Sequence, residues 1–172
     1  MSFDSTGDRI LEPLRANSIT KTVFGFASTV GDFSIIWHIT GLLYAIGSMD
    51  RLKQSIALSV ALGAESIIVN QGVKRIFRRE RPTVSGDDRF EVRTPSTSSF
   101  PSGHASSATF AAIILIWMTG FPLAILWIIM AGVVALSRVV VRIHHLSDIV
   151  GGVITGAVLG AIAVPIISSI IG

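Results

Sequence analysis

The chain has 172 residues, half of them hydrophobic, a mean hydropathy of +0.67 and only 15% charged side chains, whereas soluble domains carry about a quarter. Its few charges lie between long apolar stretches, which argues against an ordinary soluble globule and leaves a soluble all-α bundle as a weak alternative. Cysteine is absent, so disulfides, thiol nucleophiles and thiolate metal sites are excluded; the net charge of +3 sits beside apolar segments with no nucleic-acid motif, so no nucleic-acid partner is expected.

The expectation is an all-α polytopic membrane bundle, a single domain over residues 1–172. Residues 1–31 are polar and mixed in charge, with no apolar core before about residue 23, unlike a cleaved signal peptide. Within them Ile19, Val23, Phe26 and Val30 recur at helical spacing, with Asn17 or Ser18 as N-cap. This predicts an amphipathic helix lying on the membrane surface and broken at Gly31–Asp32. Pro13 argues against one continuous helix from residue 4 onward.

About five spans follow, at Phe33–Met49, Leu52–Val73, Gly103–Thr119, Phe121–Val141 and Ile149–Ile171. Short turns join the first and second at Asp50–Arg51 and the third and fourth at Thr119–Gly120. The polar connection 74–102 between spans two and three is longer than compact domains usually tolerate without a function, and is read as an active-site loop. His38 and Glu65 fall at similar depth in the first hairpin and are expected to pair, or else Glu65 faces the cavity. Gly152, Gly156 and Gly160 recur every fourth residue, for close packing inside the bundle first and homo-oligomer contact second.

Three polar clusters carry the chemistry. Lys74 and Arg81 stand about two helical turns apart, so a continuing helix would put both on one face, where they can grip one phosphate; alone, such a cluster is more often a juxtamembrane basic patch. Pro101-Ser102-Gly103-His104 precedes the third span: Ser102 sits where an N-cap belongs, Gly103 admits close approach, and the helix start offers free N–H groups to an anion. His104 is then placed to deliver a proton. In the third cluster, Arg138 closes span four, while His144 and Asp148 are four residues apart, so a carboxylate can orient an imidazole and raise its basicity. His145 lies three residues before Asp148, so spacing does not choose between the two histidines. Because spans alternate in direction, all three clusters arrive on one side of the bilayer.

Lys74-x6-Arg81-Pro82, Pro101-Ser102-Gly103-His104 and Ser137-Arg138-x5-His144-x3-Asp148 together resemble, in order and at every fixed position, the signature of the type 2 phosphatidic acid phosphatase superfamily. The resemblance implies a membrane phosphatase acting on a lipid phosphate. His144 would be the nucleophile, selected over His145 by the family pattern. Asp148 would orient it, His104 would be the acid and then the base, and Lys74, Arg81, Ser102, Gly103 and Arg138 would hold phosphate. No metal or other cofactor is implied. Soluble haloperoxidases of the same superfamily are a minor alternative, and a lipid-phosphate binder or transporter without turnover is the alternative from another class. All lysines and arginines except Arg51 and Lys53 fall on the motif side, so the site is expected to face the cytoplasm, in a bacterial plasma membrane.

Overall fold

The computed structural model describes residues 2–83, 89–90 and 92–171. The described residues form helices and connections: α1 Phe3–Ala16, α2 Ser18–Val30, α3 Ile35–Ala45, α4 Met49–Ile67, α5 Lys74–Phe77, α6 Gly103–Thr119, α7 Ala124–Val140 and α8 Leu146–Ile171. A wider-turned stretch, Ile68–Val73, joins α4 to α5 without a break in direction.

Three continuous helices have the length and apolarity to cross a membrane: Met49–Phe77, Phe121–Val140 and Leu146–Ile171. Helix α6 is apolar but 17 residues long, about 25 Å, and is mostly buried at the centre, where Ala108, Ala111, Ile114 and Leu115 pack with Trp37, Leu58, Leu62 and Val134. Its partner is α8. A Cβ on Gly152 would meet the Ser102 carbonyl, one on Gly156 the Ser106 carbonyl, and one on Gly160 the Ile113 side chain. The glycine stripe therefore lets two backbones touch within the bundle, the first of its two expected uses.

The first crossing is built differently from the expectation. Helix α3 has only 11 residues, about 16 Å, too short for roughly 30 Å of hydrocarbon. Helix α2 does not lie flat above it. Phe24 packs on Val140, Val141 and Ile143, Ser28 reaches Arg138, and Gly31 abuts Val134, so α2 descends antiparallel along α7. We read α2 and α3 together as one crossing, broken at Asp32–Ser34, where Phe33 and Ser34 hold left-handed φ values of 54° and 60°.

The amphipathic surface helix is α1. Phe3, Ile10 and Leu14 form an exposed apolar stripe, and beside it Gly7 and Arg15 are buried. Pro13 lies inside it, and the chain breaks instead at Asn17, whose side chain caps α2 by accepting from the N–H groups of Ile19 and Thr20. A proline near the end of a short exposed helix removes only one backbone bond, and Arg15 anchors the turn that follows it.

His38 and Glu65 do not pair. Nor do they share a depth, because His38 Nδ1 lies 3.0 Å from Ser59 of α4, and Glu65 is six residues, about 9 Å, further along that helix. Glu65 is turned toward α6, where it accepts from the Ser106 hydroxyl.

Candidate active site

Helix α4 and its extension bring Lys74 to the rim of the bundle, but the helix stops at Phe77. Arg78 has φ 38°, and the chain turns away there. Lys74 and Arg81 therefore do not share a helical face. Arg81 reaches the site from the extended segment that follows, donating to the carbonyls of Thr97 and Ile143 and to Nε2 of His144 at 3.1 Å. Ser102 is the N-cap of α6, its hydroxyl accepting from the Ala105 N–H. A Cβ on Gly103 would sit 3.3 Å from Asn70 Oδ1 and 3.6 Å from Lys74 Nζ, which is how a lysine amine comes against the first turn of α6.

The corner between α7 and α8 holds His144. Arg142 takes a left-handed φ of 59°, and the N–H groups of Ile143 and His144 both donate to the Arg138 carbonyl. Because α8 begins at Leu146, His144 precedes the helix. Its Nδ1 lies 3.5 Å from Asp148 Oδ2 and 3.3 Å from the Ser99 hydroxyl. A guanidinium only donates, so the Arg81 contact leaves Nε2 as the acceptor nitrogen and places the proton on Nδ1, toward Asp148. Burial, reinforced by Arg81, Arg138 and Lys74 against the opposing pull of Asp148, holds the His144 pKa below the usual histidine range. The imidazole is neutral, with a lone pair on Nε2. Asp148 also accepts from the Ser99 hydroxyl at 2.5 Å, the His145 N–H at 2.8 Å and Arg79 at 2.6 Å. His145 contributes its backbone to this arrangement.

On the facing wall, His104 Nε2 lies 3.1 Å from Asp32 Oδ1 and 3.2 Å from the Ser28 carbonyl. That carbonyl is available because α2 ends two residues later, leaving its last acceptors without helical donors. Arg138, 1% exposed, uses Nη1 on Ser28, while its Nε and Nη2 have no hydrogen-bond partner among the described residues. Two buried guanidinium donors left open are costly unless an anion takes them.

A cavity of about 390 Å³ joins the two walls, lined among others by Asp32, Lys74, Gly103, His104 and His144. Of the residues singled out from sequence, Lys74, Gly103, His104 and His144 line this space, while Arg81 and Asp148 contact His144 and Ser102 caps α6 behind it. Sequence reading missed Ser28, Asp32, Arg79 and Ser99. The only hints were the Gly31–Asp32 break and the polar run Ser96–Ser99 just before Phe100. Among the described residues, no three His, Asp or Glu side chains are grouped as a metal ion would need them.

The same architecture occurs in solved membrane enzymes. Aquifex aeolicus LpxE matches with a TM-score of 0.76 at 19% identity, covering 96% of both chains. A transmembrane PAP2-type phosphatidylglycerolphosphate phosphatase from Bacillus subtilis matches with 0.68 at 21% identity, covering 96% of this chain and 86% of that one. Helices fit to cross a bilayer and this shared fold place the cation-ringed histidine pair in an integral-membrane protein. The model of the PAP2 superfamily matches residues 54–170, and the chain belongs to that superfamily. Among its relatives, the decaprenylphosphoryl-5-phosphoribose phosphatase of Mycobacterium tuberculosis is 39% identical over 136 residues, 78% of this chain and 73% of that protein. A putative undecaprenyl-diphosphatase of Escherichia coli is 28% identical over 131 residues, 76% of this chain and 64% of that protein.

Proposed function

We propose that the protein hydrolyses a terminal phosphate from a polyprenyl-linked lipid through a phosphohistidine formed on His144. The observation that carries this reading is the Nε2 lone pair of a neutral, carboxylate-backed His144 facing Arg81, in a cavity also lined by Lys74, Gly103 and His104. An arriving phosphate takes over the donors of Arg81 and the open donors of Arg138, with Lys74 and the start of α6 on its other oxygens. Nε2 attacks phosphorus, the bond to the leaving oxygen breaks, and His104 gives that oxygen its proton. A water molecule then attacks the phosphohistidine, passing its proton to His104 and freeing inorganic phosphate and His144.

The lipid part is supported by a second cavity. An apolar groove of about 610 Å³ runs between α4 and α8, walled by Ile56, Val60, Ala64, Leu159 and Ile162, and Glu65 lines both this groove and the polar cavity. The choice of a polyprenyl phosphoribose phosphate over other lipid phosphates leans on the 39% identical relative. The cytoplasmic face of a bacterial plasma membrane is our reading of the membrane side, from the excess of lysine and arginine on the site side.

The test is phosphate release by purified protein in detergent with EDTA present, across polyprenyl phosphoribose phosphate, polyprenyl diphosphate, phosphatidylglycerophosphate and phosphatidate. Turnover that survives EDTA and disappears in His144→Ala is expected, fastest on the first substrate. Tight binding of a lipid phosphate without release would instead make the protein a binder or transporter.

A further inference from the structure

Helix α1 lies outside the stretch matched to the superfamily, yet it holds both ends of the corner that carries His144. At its far end Arg15, 1% exposed, donates from Nε to the Val140 carbonyl at 3.0 Å and from Nη2 to the Val139 carbonyl at 2.9 Å. These are among the last carbonyls of α7, which lack partners within their own helix. Asp8 and Glu12 hold the guanidinium in place at 2.7 and 2.9 Å. At its near end Asp4 accepts from the Ser147 N–H and hydroxyl, both at 2.9 Å, capping the first turn of α8 from another helix. Between the two, a Cβ on Gly7 would come within 2.9 Å of Leu146, so α1 lies directly on the start of α8.

Asp4 also reaches the nucleophile's own partner. Its Oδ2 accepts from Arg79 Nη2 at 2.7 Å, while Arg79 Nη1 donates to Asp148 Oδ1 at 2.6 Å and to Ser147 at 2.7 Å. The Arg79 backbone bonds Ser98 and Ser99, and Ser99 is the hydroxyl shared by Asp148 and His144. Asp4, Arg79 and Asp148 thus form an unbroken polar line from α1 to His144. An adjoining stripe of α1 exposes Phe3, Ile10 and Leu14, the apolar edge of a helix seated on a bilayer surface.

We propose that α1 is a membrane-seated brace that sets the position of His144, with Asp4 and Arg79 as positioning residues. The proposal rests on the reading of His144 as nucleophile. Misplacement of a reacting group by about 1 Å costs about a hundredfold, so a corner released at one end loses turnover before it loses substrate binding.

Arg15 is buried and its removal threatens folding, so the experiment uses Asp4, which is 22% exposed. Asp4→Ala, Asp4→Glu and the parent protein are compared in lipid nanodiscs, with His144→Ala as the inactive reference. Two readouts are taken: kcat and KM on a lipid phosphate, and amide hydrogen exchange resolved by segment. Asp4→Ala is expected to lower kcat about tenfold to a hundredfold with KM within about twofold, and to raise exchange over residues 141–148 while α6 is unchanged. Asp4→Glu is expected to recover most of both. Parental kcat and exchange in Asp4→Ala overturn the brace, and so does exchange that rises evenly through the bundle. If the parent protein releases no phosphate, the functional reading has failed, and the exchange readout still decides the brace.

Discussion

Asp32 shows how a residue without a motif acquires a role. It stands at the break between α2 and α3, where a helical residue would spend its backbone on the ladder and point its side chain elsewhere. Instead its carboxylate lies 3.1 Å from His104 Nε2 and 4.0 Å from Arg138. The arrangement mirrors the Asp148–His144 pair across the cavity. A carboxylate there supports the protonated imidazole that must give up a proton to the leaving group. Asp32→Asn keeps the size and removes that support. Release of phosphate from an alkyl phosphate ester is expected to fall about a hundredfold. Nitrophenyl phosphate, whose leaving group departs without a proton, is expected to lose far less, and an equal loss on both substrates would sink the idea. The contact between His144 and Asp148 was legible because their spacing is local, four residues, although His144 precedes the helix that carries Asp148. Asp32, Ser28, Ser99 and Arg79 were not, since each meets its partner across 45 or more residues. His38 and Glu65 show the same limit. Counting along the hairpin misjudged their depth as well as their rotation, since the turn geometry and packing against neighbours set His38 on Ser59 and Glu65 on Ser106.

At the scale of elements, the glycine stripe of α8 is the most demanding packing feature. Gly156 lies against the Ser106 carbonyl with no room for a methyl group, and neither backbone can move without shifting the start of α6, where Ser102 and His104 sit. Gly156→Ala is expected to destabilise the bundle by about 1–3 kcal/mol. The same substitution at Gly132, where a Cβ meets nothing within 4 Å, is expected to be nearly neutral; thermal unfolding in a common detergent compares them. Equal melting temperatures for the two variants would remove the close-contact account. Period-four glycines were readable as a contact face, as were α4, α6, α7 and α8 from their apolar length. The ends of elements were less so. The helix carrying Lys74 stops before Arg81, and the run of arginines through 78, 79 and 81 gave no sign of the left-handed turn at Arg78. Pro82 marked the boundary only a few residues late.

For the whole molecule, the alternation of crossings brings α5, the start of α6 and the α7–α8 corner to one side, as the hydropathy pattern predicts. Division of the first crossing into α2 and α3 does not change that parity, because the pair spans once. Sidedness is therefore open to a direct check. Ser96, exposed on the site side, serves as the labelling position, with Asp50 on the other side as its counterpart. If the site faces the cytoplasm, an impermeant thiol reagent applied to intact cells labels Asp50→Cys and spares Ser96→Cys. The reverse pattern would place the chemistry on the outer face.

The broken first crossing has a further consequence. The motif residues lie between Lys74 and Asp148, within the stretch 54–170 that defines the superfamily. Their immediate supports do not: Asp32 and Ser28 hold His104, while Asp4 and Arg15 hold the corner of His144. On the proposed mechanism, the first 34 residues supply neighbours to both histidines from outside the motifs. Drift in this part of the chain can retune the timing of proton delivery and nucleophilic attack without altering one letter of the signature. Exchanging this leading segment with that of another superfamily member is expected to exchange part of the rate behaviour as well.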